Sequence, residues 1–341
     1  MSNSPAPQVE PRDRPLLDVQ DLATHYRSRG GGALRGRRAV VRAVDGVSLS
    51  VRAGEMLALV GESGCGKTTT AQTIMRMVEP ESGSIRLDGT ELRDLSARAL
   101  RPLRRTMQMI YQDPYESLDP RFRVGQAIEE PLRVHRVGGS RAERRRLVTE
   151  ALERVELTPP EIFVDRFPHE LSGGQRQRVA IAASLVLEPA LLVADEPVSM
   201  LDVSVRAGIL QLLDRLRREA GLGIVMITHD LSTAAHYADR IAVMYLGRIV
   251  EEGPTQDVIR APQHPYTRAL LSVVPQRDPR SRTDAQILSG EPPDPADLPT
   301  GCRFHPRCPV AEDRCRTVDI ELRAVPDGAG HRAACVLVEP T

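Results

Sequence analysis

Residues 56–78, MLALVGESGCGKTTTAQTIMRMV, constrain the fold of this chain more than any other stretch. MLALV is a short continuous apolar run, as in a parallel strand buried on both faces. TTTAQTIMRMV behind it reads as a helix that ends at the turn EPESG. Between them GESGCGKT, residues 61–68, fits G-x-x-x-x-G-K-[ST] in the strand, loop and helix context that gives the pattern its meaning. Gly61, Gly64 and Gly66 let the backbone curl until its N–H groups face one anionic centre, and the helix N-terminus adds its positive dipole end. The spacing points to the phosphates of a nucleotide. Lys67 would reach the β- and γ-phosphates, the Thr68 hydroxyl would ligate magnesium, and Ser63 and Thr69 belong to the same cradle. Cys65 stands at a variable position of the loop and reads as a small filler rather than a redox group, because the backbone does the cradling.

ALLVADEP supplies the second half of such a site. Asp195, at the end of an apolar strand, can hold hydrated magnesium, and Glu196 beside it can point at an attacking water. GIVMITH ends on His229, so the three features fall at the carboxyl edge of one sheet, where open α/β folds bind ligands. Between the last two strands, VRAGILQLLDRLRREAG places Ile209, Leu212, Leu213 and Leu216 on one helical face with arginines opposite. Alternating strands and helices predict an α/β fold, a P-loop, RecA-like core with a mainly parallel sheet. LLDVQDLATHY and VDGVSLSV predict strands of an antiparallel β subdomain, separated by the glycine- and arginine-rich RSRGGGALRGRRAVVR. That basic run reads as a solvated loop, with docking to another chain or to lipid headgroups as the alternative.

Further organisation follows from composition. The first fifteen residues, polar and Pro-rich, are read as a mobile tail, and residues 16–262 are expected to form the nucleotide-binding domain. Within it, charge-rich residues from about 96 to 170 are taken mostly as a helical insertion. Ten of the 27 prolines lie between Pro262 and Pro309, so 263–341 is expected to be a small extension with little helix beyond PYTRALLSVV. Forty-six basic residues balance 46 acidic ones, which argues against bulk electrostatic binding to nucleic acid. Neither a signal peptide nor an apolar run of membrane-spanning length is present, so the expectation is a cytosolic chain that does not span a membrane.

LSGGQ, residues 171–175, opens a predicted helix. Taken in order with GESGCGKT, the glutamine of MIYQDP, ADEP, SMLD and ITHD, it makes the chain resemble the ATPase subunits of ABC transporters from Leu16 to the C-terminus. The resemblance implies ATP and Mg2+ as cofactors. It implies that Tyr26 stacks on adenine and that Gln112 contacts magnesium and water while sensing a membrane partner. It further implies that Ser172, Gly173 and Gly174, with Gln175, bind the γ-phosphate of ATP held by an opposite subunit. Asp202 would lie at that dimer interface, His229 would contact the γ-phosphate, and Glu196 would be the general base. A helix N-terminus carrying a serine and two glycines offers several donors to phosphate without side-chain bulk, so ATP becomes the glue between subunits. DNA-repair relatives insert long coiled coils between the phosphate loop and ADEP, but Lys67 and Asp195 are about 128 positions apart, which leaves no room. Translation factors of this superfamily usually carry two cassettes, and a non-catalytic regulator would not need every hydrolytic motif.

The tail narrows the branch. HPYTRALLSVVP, LSGEPPDP and GCRFHPRCPVAEDRC resemble the C-terminal extension of dipeptide and oligopeptide importer ATPases, and VADEPVS looks most like the second, F-type subunit. This implies a heterodimer with a homologous ATPase subunit, two permeases and an extracytoplasmic solute-binding protein, at the cytoplasmic face of the membrane; nickel, glutathione and oligosaccharide importers share the architecture. Cys302, Cys308, Cys315 and Cys335 have the spacing C-x5-C-x6-C-x19-C. Disulfides suit a reducing compartment poorly, and free thiols remain open. Structural zinc prefers tighter pairs, whereas four thiolates at wider spacing suit a [4Fe–4S] cluster, which members of the importer family resemble this chain in carrying. His305 and His331 are secondary ligand candidates.

Overall fold

Alternation of side chains along the central strands decides the layering. In the computed structural model, which describes residues 14–27, 40–113, 117–273, 288, 290–326 and 330–338, β3 (Met56–Val60), β7 (Leu191–Asp195) and β8 (Gly223–Thr228) are buried at every position. Met56, Ala58 and Val60 enter one core while Leu57 and Leu59 enter another, the period-two signature of a sheet covered on both faces. The first core is closed by helices Gly173–Leu185 and Val203–Ala220, the second by helix Lys67–Ile74 and a separate sheet. That second sheet is antiparallel, in the order β2 (Val40–Val51), β1 (Leu17–Arg27), β4 (Ser82–Leu87), β5 (Thr90–Glu91). The expected tail at 1–13 and most of the glycine and arginine run, 28–39, lie outside the described residues.

In the large sheet β9 (Arg240–Tyr245), β3, β8, β7 and β6 (Met107–Ile110) run parallel in that order. β6 lies inside the stretch read as helical. Four residues with a central glutamine, MQMI, are too short to stand out as a strand, and pairing with β7 makes them one. The helices Ala97–Leu103, Val124–Val134, Arg141–Arg154 and Glu161–Val164 otherwise fill that stretch. Arg217 also departs from the expected arginine face: it is buried, bonding Asp214 at 2.8 Å and Asp239 of the turn before β9. Two carboxylates at the helix end offset the cost of burying the guanidinium.

The proline-rich region does not hang free of this core. β10 (Arg248–Pro254), β12 (Arg332–Ala333) and β11 (Arg323–Ala324) extend the large sheet past β9 as antiparallel additions. Helix Pro265–Ser272 starts at His264, whose Nδ1 accepts the Tyr266 N–H at 3.1 Å and whose own N–H donates to the Glu251 carboxylate at 2.9 Å. Burial pushes the His264 pKa down from 6.5 to about 4, against the Glu251 charge and with that of Arg268. Folding therefore withholds a proton that the unfolded chain accepts, so this stability is present above pH 6.5 and is lost as pH falls toward about 4. His264→Asn, which keeps a capping oxygen, is expected to flatten that part of the pH profile in denaturant unfolding, by at most about 1.4 kcal/mol per pH unit. An unchanged slope would refute the assignment.

Candidate active site

The loop after β3 owes its shape to positions where a side chain cannot stand. Gly64 and Gly66 have φ of 78° and 108°, and a Cβ on Gly61 or Gly66 would overlap the carbonyl oxygen of Met244 or Ala43. Behind the loop, β9 and β10 join through Leu246 and Gly247, with φ of 42° and 83°, a type I′ hairpin turn. The Gly247 N–H donates to the Cys65 carbonyl at 2.8 Å, fixing the loop from behind. Lys67, only 5% exposed, donates from Nζ to the carbonyls of Gly61 and Glu62, each at 2.8 Å. The Cys65 thiol is buried 3.7 Å from that ammonium, and burial pushes its pKa up despite Lys67, which suits a filler.

Ser63, Gly64, Cys65, Gly66, Lys67, Thr68 and Thr69 line a cleft of about 530 Å3 together with Gln112, Glu196 and His229. The cleft thus gathers residues from beyond the ends of five strands of one sheet, β3, β6, β7, β8 and, through Leu246 and Gly247, β9. Asp195 lies just beneath: it is 3% exposed, and its Oδ1 has no hydrogen-bond partner. Burial raises its pKa, opposed by the Thr68 hydroxyl and by Lys67 and reinforced by Glu196. A buried, unpaired carboxylate oxygen beside a threonine hydroxyl fits a divalent cation, so the donor set suits magnesium. Glu196 has φ of 44°, a left-handed conformation uncommon for a carboxylate residue, and is held from two sides. Gln112 Nε2 donates to its Oε2 at 3.1 Å, and His229 Nδ1 lies 3.2 Å from its Oε1.

Other expected residues lie elsewhere. Ser172, Gly173, Gly174 and Gln175 do not line this cleft. Ser172 caps helix Gly173–Leu185 through a reciprocal pair: its hydroxyl accepts the Gln175 N–H at 3.3 Å and its N–H donates to Gln175 Oε1 at 3.0 Å. Gly174 packs against Val205 too closely for a side chain, and Asp202 is exposed at the start of helix Val203–Ala220. Tyr26 is 42% exposed and outside the cleft lining; its cross-strand partner Val41 is inside it, beside Arg42. Sequence reasoning missed Leu246, Gly247 and Pro295 at the cleft. The glycine between two apolar runs signals a turn, but leucine is an unusual residue at positive φ and hid the hairpin type, and nothing local marked Pro295.

All four tail cysteines, with His305, line one pocket at the start of helix Pro265–Ser272, where His264 and Pro265 also line it. The Cys302 thiol is pushed up to about 11, by burial first and then by its three neighbouring cysteines; burial also raises Cys308 and Cys335. His305 Nδ1 sits on the Cys302 carbonyl at 2.9 Å, and His331, absent from the pocket lining, is bonded to Glu251 at 2.8 Å. Among the described residues, no three His, Cys, Asp or Glu side chains form a group that could hold a metal ion.

Comparisons with known proteins agree with this geometry. The ABC transporter family matches residues 44–199, and the family described as oligopeptide/dipeptide transporter, C-terminal region, matches residues 250–315. A putative peptide import ATP-binding protein of Brucella ovis is 47% identical over 324 residues, covering 95% of this chain and 98% of the relative. The oligopeptide transport ATP-binding protein OppF of Escherichia coli is 43% identical over 329 residues, covering 95% and 97%. The ATP-binding cassette MJ0796, solved as a dimer in a post-hydrolysis state bound to ADP and Pi, superposes with a TM-score of 0.61 at 31% identity, over 70% of this chain and 98% of that one. With its phosphate loop, paired acids and signature helix on this fold, the chain belongs to the ATP-binding subunits of ABC transporters, in the branch that carries the oligopeptide/dipeptide transporter C-terminal region.

Proposed function

We propose that this chain is the ATP-hydrolysing subunit of a multi-subunit peptide importer. The observation that carries the reading is the chain-long likeness to peptide and oligopeptide import ATP-binding proteins. The geometry supports hydrolysis. Lys67 and the loop N–H groups hold the β- and γ-phosphates, and Glu196, oriented by Gln112 and His229, takes the proton of the attacking water; Tyr26, which stands outside the cleft lining, is assigned to the base by the family resemblance alone. Thr68, Gln112 and Asp195 would hold magnesium, which neutralises phosphate charge. The exposed signature, Ser172 to Gln175, and Asp202 serve a nucleotide held by a second, homologous subunit, so that closure of the heterodimer on ATP is felt by two permeases. A solute-binding protein outside the cell delivers the peptide. The subunit is peripheral at the cytoplasmic face; no helix among the described residues is long and apolar enough to cross a membrane.

In this reading the nucleotide-binding domain spans about 16–262, with its helical part within about 96–170, and the extension begins near 263. Cys302, Cys308, Cys315 and Cys335 hold a structural [4Fe–4S] cluster, zinc being the alternative. Their shared pocket supports a common ligand. Sulfurs around a single zinc must lie within about 4.6 Å of one another, twice the metal–sulfur bond length, whereas a four-iron cluster carries one thiolate on each iron and keeps them wider apart.

One anaerobic preparation tests both parts. Expressed with its membrane partners, the full chain is expected to co-purify with a permease pair and to show ATPase activity raised by peptide-loaded solute-binding protein, with iron and sulfide bound. Stimulation only by nickel, glutathione or an oligosaccharide would move the substrate class, and ribosomes or DNA in place of permeases would overturn transport. Stoichiometric zinc without iron would overturn the cluster.

A further inference from the structure

Glu62, the second residue of the phosphate loop, is gripped from three directions. Its carboxylate accepts both terminal nitrogens of Arg307, Nη1 to Oε2 at 2.8 Å and Nη2 to Oε1 at 3.1 Å. Its N–H donates to the Tyr266 hydroxyl at 2.9 Å, and its carbonyl accepts Lys67 Nζ at 2.8 Å. The first two grips come from the C-terminal segment, more than 200 positions along the chain. We propose that Arg307 and Tyr266 are positioning residues for ATP binding: by fixing Glu62 they set the loop, and with it the place from which Lys67 reaches the phosphates.

The backing of this brace is stiff. Arg307 is 7% exposed and Tyr266 fully buried. Tyr245, Tyr266 and Phe304 pack with ring centroids 4.7 to 5.4 Å apart, and the Arg307 guanidinium carbon stands 6.0 Å from the Tyr245 ring centre. A bidentate pair between a guanidinium and a carboxylate fixes both distance and orientation, which a lysine in the same place would not. A second strut runs alongside, from Arg303 to Asp45 of β2, whose N–H donates to the Gly247 carbonyl at 2.9 Å in the hairpin behind the loop. Charge gives the pair a further purpose. A carboxylate next to a polyphosphate site repels its ligand unless neutralised, and Arg307 supplies the compensating charge where solvent screens poorly.

The proposal rests on the reading of this loop as the ATP phosphate site and not on what the cysteines hold. Calorimetric titration of the full chain with MgATP tests it, with thermal melts run in parallel. Arg307→Met is expected to weaken MgATP binding roughly tenfold, since it loosens the loop and leaves a bare carboxylate. Glu62→Gln, which removes that charge, should weaken it less, and the double variant should bind no worse than Arg307→Met alone, while the parallel melts report any loss of stability separately from the loss of affinity. Tyr266→Phe deletes one hydroxyl and keeps the ring cluster, so it decides the matter if Arg307→Met does not fold; a loss of about threefold or more is expected. Wild-type affinity in folded Arg307→Met and Tyr266→Phe, or strict additivity in the double variant, would overturn the brace. Failure of the wild-type chain to bind MgATP would overturn the nucleotide reading and the brace with it.

Discussion

Glu196→Gln is expected to lower steady-state ATP turnover by about two to four orders of magnitude while MgATP affinity stays within about twofold. The substitution preserves size and shape, so neither the left-handed backbone at φ of 44° nor the cleft wall need move. What it removes is a basic oxygen. Glu196 stands 3.1 Å from Gln112 Nε2 and 3.2 Å from His229 Nδ1, contacts that aim it without using it up, since a carboxylate has about four acceptor sites. Lys67, Thr68 and the loop N–H groups are untouched, so binding should persist and the γ-phosphate should remain uncleaved. Single-turnover phosphate release and equilibrium MgATP binding, measured on the same preparation, separate the two effects. Near-normal steady-state turnover would remove Glu196 from the chemistry.

The second large effect concerns the loop itself. Gly66 has φ of 108°, and its missing Cβ leaves room for the carbonyl of Ala43 on β2 and the methyl of Met244 on β9. Gly66→Ala adds backbone strain to a clash with the Ala43 carbonyl of β2, which cannot retreat as the Met244 methyl can, roughly 1–3 kcal/mol for each cause. Chemical denaturation should show a loss of about 2–6 kcal/mol, and the residual folded protein should bind MgATP poorly because the clash displaces Lys67, the next residue. Gly64 provides the comparison. Its φ of 78° carries similar strain, but nothing lies within 4 Å of a Cβ there, so Gly64→Ala should cost only about 1–2 kcal/mol. Equal losses in the two variants would show that strain alone, without the packing of β2 and β9 on the loop, governs the site.

Much of this is legible in the sequence. The apolar runs at 56–60, 191–195 and 223–228 are buried strands because a sheet covered on both faces leaves no polar positions to interrupt them. Ile209, Leu212, Leu213 and Leu216 do face the core. Other elements were hidden for specific reasons. β6 is four residues long with no period to read, and becomes a strand only because β7 offers it hydrogen bonds. Arg217 carries the same chemistry as its exposed neighbour Arg218, and Asp239, 22 positions away, turns it inward.

The division has a physical basis. The loop glycines, the lysine after them and the helix they open are contiguous in the chain, so the sequence by itself determined where the phosphate-loop motif lies and the order of motifs around it. Contacts made across the fold were beyond it. That Gln112 and His229 converge on one carboxylate, that four cysteines share a pocket, and that Arg307 closes on Glu62 from 245 positions away depend on how sheets and helices pack. No local pattern encodes such a pairing, because its energy exists only once the intervening chain has been ordered, and the tertiary structure alone decided it.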